Sequence, residues 1–366
     1  MKVGILGSRG IPNHYGGFEQ FAQFLALGLV KRGVEVWVYN SHTHPYREKE
    51  WKGVNLIHCY DPEDRIGTPG QFIYDLNCIN NSRQRGFDIL LQLGYTSSSV
   101  WHMRLPRKTR IITNMDGLEW KRRKYSAPVR KFLKYAEKLA VKSSHALVAD
   151  SEAIRDYLFD TYRVYSTYIP YGAEIYHPGK SDRLTEFNLN PKEYFLAIAR
   201  FQPDNHIEEI IKGVLGSGTK IPLLVIGSTQ NKFGKYLVRK YASDQIRFPG
   251  GIFDPELLNQ LRFNSKIYFH GHSAGGTNPS LLEAMAASAL ICAHNNPFNR
   301  SVLGSDAFYF LTHSDISNQI HKQAVDAVIQ DQMISNNLQK IRSKYNWDKV
   351  VTAYYELFEQ ILKAKS

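Results

Sequence analysis

The stretch GHSAGGTNPSLLEAMAA, Gly271 to Ala287, decides how this chain folds. It follows a β-rich run, Lys266–His270, and leads into a helix-forming segment. Asn278 is a good N-cap and Pro279 a good first helical residue. Strand, Gly-rich loop and capped helix together make a βα unit. Backbone N–H groups at such a turn, with the helix dipole, favour an anion such as a diphosphate. The candidate contacts are Gly275, Gly276, Thr277, Asn278, Ser280 and Leu281, Pro279 having no N–H. Glu283 follows one turn into the helix, where a carboxylate accepts hydrogen bonds from sugar hydroxyls. The alternative is a helix that only needed a cap and a flexible turn.

Outward from this unit, β-rich runs alternate with amphipathic helical segments. Before it lie Tyr194–Ala199, Ile221–Ile226 and Ile246–Phe248; after it, Leu290–Ala293 and Phe308–Leu311. An earlier series contains Lys2–Leu6, Val34–Tyr39, Val54–Cys59, Asp88–Leu93, Arg110–Thr113 and Ala146–Ala149. A helix from about Glu19 to Lys31 follows the first of these. Two βα series predict an α/β chain of two Rossmann-like, doubly wound parallel-sheet domains. Their bounds are read as 1–170 and 192–345, with a Pro- and Gly-rich linker at 171–191 and a C-terminal amphipathic helix within 346–366. Ligands of such sheets bind beyond the carboxyl ends of the strands, so the loops after strands are the ones to read.

A chain of 366 residues suits two domains, and 43% hydrophobic residues suit a globular protein. Cys59, Cys78 and Cys292 lie far apart, without metal-ligand or redox spacing, and read as reduced thiols of a cytoplasmic protein. The start, MKVGILGSRG, reads as a strand and turn rather than a signal peptide, and no apolar run reaches membrane-spanning length. The formal charge of +12 calls for an acidic partner: nucleic acid, an anionic membrane surface or a phosphorylated substrate.

Four more loops carry candidates. The loop Gly7–Glu19 is not G-x-G-x-x-G, and the second strand ends in Tyr39-Asn40 rather than the acidic residue that holds an NAD ribose. Gly16 and Gly17 let backbone approach a substrate or phosphate, or else fill a turn. In Asn114–Trp120, Asp116 and Glu119 are carboxylates able to orient an acceptor hydroxyl or take its proton, though Asp116 also suits a turn. In Ala199–Asn205, Arg200 suits phosphate oxygens; in Gly227–Lys232, Lys232 is a weaker phosphate candidate. Lys121, Arg122, Arg123 and Lys124 precede a helix carrying Arg130, Lys131, Lys134, Lys138 and Lys142, opposed only by Glu137. Phe132, Leu133, Ala136, Leu139 and Ala140 form its expected apolar face. Such a helix reads as an element for a membrane surface or a phosphorylated acceptor, or as a solvated face over a core.

Taken together, these loops resemble glycosyltransferase family 4, of GT-B fold, over nearly the whole chain. Gly16-Gly17-Phe18-Glu19 matches the family's Gly-Gly-x-Glu loop, and Asp116-Gly117-Leu118-Glu119 stands where many members have His-Gly-x-Glu. Ser151-Glu152, Ile169–Glu174 and Leu282–Ala286 match further family segments. Two positions depart. Asn205 stands where the family has a lysine five residues after Arg200, and Gly275 where it has the first of two glutamates, Glu283 being the second. His272, Thr277 and Asn278 are candidates to contact the transferred sugar in its place.

The resemblance implies a retaining glycosyltransferase without a metal or other cofactor, its two domains facing a cleft. Arg200, the Gly275–Leu281 loop and Glu283 would bind a nucleotide diphosphate-sugar, and the first domain the acceptor, with Asp116, Glu119 and His272 as catalytic candidates. Gly-Gly-Thr-Asn-Pro-Ser-Leu-Leu-Glu and Gly-Leu-Glu-Trp-Lys-Arg resemble a bacterial subgroup that includes rhamnosyltransferases of polysaccharide assembly. Those use a dTDP-linked deoxysugar and a lipid-diphosphate-linked or saccharide acceptor at the cytoplasmic face of the inner membrane, with no nucleic acid involved. The competing readings are an epimerase or hydrolase of the same fold, an NAD-dependent enzyme, and a noncatalytic basic protein for nucleic acid or membrane.

Overall fold

Each of the twelve β-rich runs forms a strand, because parallel strands covered on both faces need continuous apolar sequence. The structure is a computed structural model and describes residues 1–14, 16–122, 125–179, 183–273, 275–322 and 327–364. The chain divides into two units. One comprises Met1–Lys121, Tyr125–Tyr171 and Trp347–Ser366; the other comprises Arg122–Lys124 and Gly172–Asn346.

The first unit is built on β1 (Lys2–Leu6), β2 (Glu35–Ser41), β3 (Glu50–Trp51), β4 (Val54–Cys59), β5 (Ile89–Leu93), β6 (Arg110–Asn114), β7 (Ala146–Ala149) and β8 (Thr167–Tyr168). Their order is β3-β4-β2-β1-β5-β6-β7-β8. Among the described residues, β3 alone is antiparallel to its neighbour. The two-residue strands β3 and β8 escape a reading that relies on apolar runs. The helix Trp347–Lys363 belongs to this unit and packs on the helix Gly17–Val30. Phe24 stacks on Trp347 at 4.6 Å, and a Cβ at Gly28 would come within 2.5 Å of Val351.

Cys59 on β4 and Cys78 on the helix Pro69–Ser82 are buried in the same core cluster. The fold thus brings together two thiols that are far apart in sequence.

The second unit holds β9 (Phe195–Ile198), β10 (Leu223–Ile226), β11 (Ile246–Gly250), β12 (Ile267–His270), β13 (Ile291–His294) and β14 (Phe308–Phe310). They are all parallel, in the order β11-β10-β9-β12-β13-β14. Ile267 and Phe269 enter a core with Phe195, Ile210, Val225 and Leu237. By the two-residue period of a strand, Tyr268 and His270 face the other side. There the Tyr268 hydroxyl bonds Ser280 Oγ at 2.8 Å, on the helix Pro279–Ala286. Residues 172–176, read as part of a linker, are tied into this unit: Ala173 N donates to Tyr345 O (2.7 Å) and Tyr176 N to Ala286 O (3.0 Å).

Candidate functional site

The strand order of the second sheet reverses between β9 and β12, so the loops after these two strands flank its topological switch point. They are fastened to each other. Ser273 donates its N–H (3.1 Å) and hydroxyl (2.9 Å) to Asp204 O, and His206 Nδ1 donates to Gly271 O at 2.8 Å. A Cβ on Gly271 would lie 2.0 Å from Asn205 O, so only glycine allows the approach. Asn205 is buried, and its amide donates to Arg200 O at 2.7 Å. Arg200 itself is exposed and has no carboxylate partner among the described residues.

In the loop after β12, Gly275 has φ +126°, and a Cβ there would meet nothing within 4 Å. The backbone angle, not crowding, keeps a side chain out of this position. Asn278 caps the helix Pro279–Ala286, its Oδ1 accepting from Ser280 N at 2.9 Å, while Leu281 N donates to Asn278 O at 3.0 Å. The sequence reading counted Ser280 and Leu281 as waiting anion donors. Both N–H groups are already engaged by the cap, so an anion at this turn competes with it. Thr277 is buried, and Gly276 and Asn278 are half-buried.

Glu283 is held by Arg262 of the helix Pro255–Asn264, whose Nη2 donates to Glu283 Oε2 and whose Nη1 donates to Asn259 Oδ1 at 2.8 Å. The Arg262 side chain is only 3% exposed and that of Glu283 is 25% exposed. Sequence reasoning missed Arg262, because nothing in the helix pattern marks one arginine as inward. Lys232 is exposed in the first turn of the helix Lys232–Tyr241.

Histidines surround the ends of β12 and β13. His270 and His272 stack at 4.5 Å, His206 and His294 at 4.0 Å. Both ring nitrogens of His270, and Nδ1 of His272, are buried without a hydrogen-bond partner among the described residues. Burial, followed by the nearby charge of Arg200, drives His272 down to about 3, and burial holds His270 well below the usual imidazole range. Asn296 and Asn299 fix the loop, each donating to His272 O at 3.0 Å.

In the first unit the sheet reverses between β1 and β5. Gly16 caps the helix Gly17–Val30, and Glu19 bends back so that its Oε1 accepts from Arg9 N at 2.7 Å. Asn40 closes the loop after β1: its Oδ1 accepts from Ile11 N (3.1 Å) and its Nδ2 donates to Ile11 O (2.8 Å). The residue at the NAD-ribose position is therefore spent on backbone, which counts against the dinucleotide reading. Asp75, which sequence reasoning passed over, is buried nearby and accepts from Ser97 Oγ at 2.6 Å. Burial raises its carboxyl to about 7.

Asp116 is half-buried at the end of β6 in left-handed backbone, φ +39°, with its N–H on Asn114 Oδ1 at 3.0 Å. Such strain in a non-glycine residue gathers at functional positions. Glu119 starts a short 3-10 turn, Glu119–Lys121.

The basic helix Ala127–Ser143 differs from expectation in one respect that organises this whole region. Glu137, expected among the surface charges, is fully buried. It accepts from Tyr157 OH and Tyr162 OH (2.6 Å each), Lys134 Nζ (2.8 Å), Trp120 Nε1 (3.0 Å) and Tyr95 OH (3.4 Å). Lys134 is thus drawn onto a carboxylate and lies over the Trp120 and Tyr157 rings at 4.6 Å, so it leaves the acceptor or membrane face. Lys121 lies over Trp120 at 5.4 Å. Arg130 and Lys131 remain exposed; Phe132, expected in the buried stripe, is 38% exposed and Tyr135 56%. Arg122 clusters with the second unit, and Arg123 and Lys124 lie outside the described residues.

Among the described residues no group of three or more His, Cys, Asp or Glu is placed to hold a metal ion, and no helix is long and apolar enough to cross a membrane.

Comparison with known proteins fits this frame. Residues 182–346 match the family described as Glycosyl transferases group 1, and residues 1–174 match a domain of unknown function, DUF1972. An uncharacterized glycosyltransferase of Methanocaldococcus jannaschii, MJ1069, is 27% identical over 247 residues, 62% of this chain and 61% of that protein. The match therefore spans about three fifths of that curated relative. Among solved structures, the chain is similar to sucrose-phosphate synthase (tll1590) from Thermosynechococcus elongatus, with TM-score 0.80, 17% identity and 99% of each chain covered. It is also similar to Anabaena Alr3699/HepE in complex with UDP and glucose, with TM-score 0.76, 14% identity and 98% and 99% covered. The fold is that of the GT-B glycosyltransferases, with a group 1 glycosyl transferase domain in the second unit.

Proposed function

We propose that the protein is a retaining, metal-independent glycosyltransferase that moves a hexose or deoxyhexose from a nucleotide diphosphate-sugar to a saccharide or lipid-linked acceptor. The observation that carries this reading is the meeting of two loops at the switch point of the second sheet. One presents the exposed Arg200, the other a Gly-rich turn at a capped helix start, with Glu283 held by Arg262 one turn further on. Arg200 and the turn would stabilise charge on the departing diphosphate, and Glu283 would accept from the nucleoside ribose. HepE, similar in fold, was solved with UDP and glucose, which supports a nucleotide-sugar donor. The retaining course rests on the family resemblance. So does dTDP-rhamnose as the donor, with polysaccharide assembly as its setting.

Asp116 would orient the acceptor hydroxyl. The exposed Arg130 and Lys131, beside Phe132 and Tyr135, suit the anionic face of a membrane carrying a lipid-diphosphate acceptor. Transfer and slow donor hydrolysis are expected to fall at least tenfold in Arg200→Ala and in Glu283→Ala, about what one lost charged contact costs. Near-normal activity in both variants would refute the assignment. A thermal-shift screen of nucleotide sugars identifies the donor, since a ligand that binds only the folded state raises Tm according to its affinity.

A further inference from the structure

We infer that His272, backed by His270, is a sugar-reading residue of the donor site: a neutral imidazole that hydrogen-bonds a hydroxyl of the transferred sugar, three residues before the open position at Gly275. The inference rests on the donor-site reading above and adds to it which residue tells the sugar from the diphosphate.

Asn205 removes a cation from the loop after β9, so the first question is whether a histidine replaces that charge. Three groups near His272 oppose its protonation: Arg200, Arg122 and His206. His270, beneath it, is pressed the same way by His272, Arg262 and His294. With burial and then Arg200 holding His272 far below the usual imidazole range, its ring is neutral at pH 7. The phosphates are left to Arg200 and the turn.

A neutral imidazole has one N–H donor and one acceptor, the complement of a hydroxyl and not of a phosphate oxygen, which only accepts. The neighbouring rings already have assignments. His206 Nδ1 donates to Gly271 O, and His294 Nδ1 accepts from Asn296 Nδ2 at 3.2 Å. Among the described residues, the buried His272 Nδ1 and both buried nitrogens of His270 have no hydrogen-bond partner, whereas buried polar atoms are ordinarily satisfied; His272 as a whole is half-buried. The backbone of His272 is pinned by Asn296 and Asn299, and its ring by the stack on His270, so the imidazole is preorganised. Three residues on, Gly275 gives open space and a backbone angle that admits no side chain.

The test separates sugar from diphosphate. The full-length protein is titrated calorimetrically with UDP, dTDP and GDP, and with UDP-glucose, dTDP-glucose, dTDP-rhamnose and GDP-mannose. In His272→Phe, which keeps a ring for the stack, the intact donor should weaken roughly ten- to a hundredfold and the bare nucleotide less than about threefold. His272→Asn, with an amide donor and acceptor, should recover part of the loss. Equal weakening of donor and nucleotide, or no weakening of either, overturns the inference while leaving the donor site standing. Failure of the wild-type protein to bind any of these ligands overturns the donor-site reading and the inference with it. Should His272→Phe not fold, His272→Asn and His272→Gln carry the same comparison.

Discussion

Replacing Glu137 tests the claim that one buried carboxylate holds together the region around Asp116. Five donors converge on it, from Tyr95, Trp120, Lys134, Tyr157 and Tyr162. In Glu137→Ala, Lys134, its side chain 36% exposed, can turn to water, but Tyr95 is only 1% exposed and Trp120, Tyr157 and Tyr162 are half-buried. Two or so donors left unpaired at about 1–3 kcal/mol each, together with the cavity, give a loss of about 3–5 kcal/mol. For a unit of this size that is roughly 6–20 °C in Tm. Glu137→Gln keeps an acceptor but turns an amide N–H₂ toward the donors, so about half that loss is expected. Lys134→Ala removes the cation that sits on this buried carboxylate, while four neutral donors remain, and should cost about 1–3 kcal/mol. Urea unfolding and calorimetry measure all three. A Glu137→Ala protein within about 1 kcal/mol of wild type would refute the argument. Because Trp120 is tethered to Glu137, activity in Glu137→Gln should fall by more than its stability alone explains at a temperature where it stays folded.

Three further outcomes are expected. Gly275→Glu, which introduces the residue found there in the family this chain resembles, should lower stability by about 1–3 kcal/mol through its φ of +126° and should not tighten donor binding; a tighter, fully stable variant would show that the loop is not so constrained. Arg262→Met should weaken nucleotide binding by loosening Glu283 and cost about 1–3 kcal/mol by taking the guanidinium away from a partly buried carboxylate; unchanged nucleotide affinity in a folded variant would remove Arg262 from the site. The protein should lose stability in acid. His270 and His272 are depressed in the fold, so the unfolded chain binds the proton first, from about pH 6.5 downward. Their contribution is complete above that pH and falls by about 1.4 kcal/mol per unit per ring as pH drops toward the folded values. A flat urea midpoint between pH 7.5 and 5, or the same fall in the His270→Asn, His272→Asn double variant, would contradict this.

The sheets were legible because strands buried on both faces need continuous apolar sequence: VGIL in β1, ILLQL in β5 and LLVI in β10 have little other use. Asn278 and Pro279 likewise announced their helix start. What stayed hidden depends on tertiary partners. Glu137 reads as one more surface charge until four donors from three other segments, and Lys134 on its own helix, close on it. Arg262 and Asp75 carry no mark of their burial in local sequence. Phe132 and Leu133 are adjacent and both apolar, yet one faces solvent and the other the core, a difference of one step around a helix.

The two departures from the family pattern in the second unit can be understood as consequences of one arrangement. The loops after β9 and β12 are fastened through Asp204 O, Gly271 O and the contact of Gly271 with Asn205. In that backbone position 205 is buried, and its side chain is called on to satisfy the carbonyl of Arg200. A lysine there would have to bury an ammonium against a neighbouring loop, at a cost of several kcal/mol for an unpaired charge, whereas asparagine meets the carbonyl without one. The fastened loop then turns through Gly275 at a positive φ that excludes the family's glutamate. Losing the lysine leaves Arg200 as the exposed cation of this loop, and losing the glutamate leaves a hydroxyl partner to be found. The imidazoles stacked at the end of β12 lie in the same fastened segment and are held uncharged, so they do not replace the first. They have the donor and acceptor needed to replace the second. Loosening the fastening with Ser273→Ala should therefore weaken sugar and phosphate contacts together, unlike His272→Phe, which should affect the sugar alone.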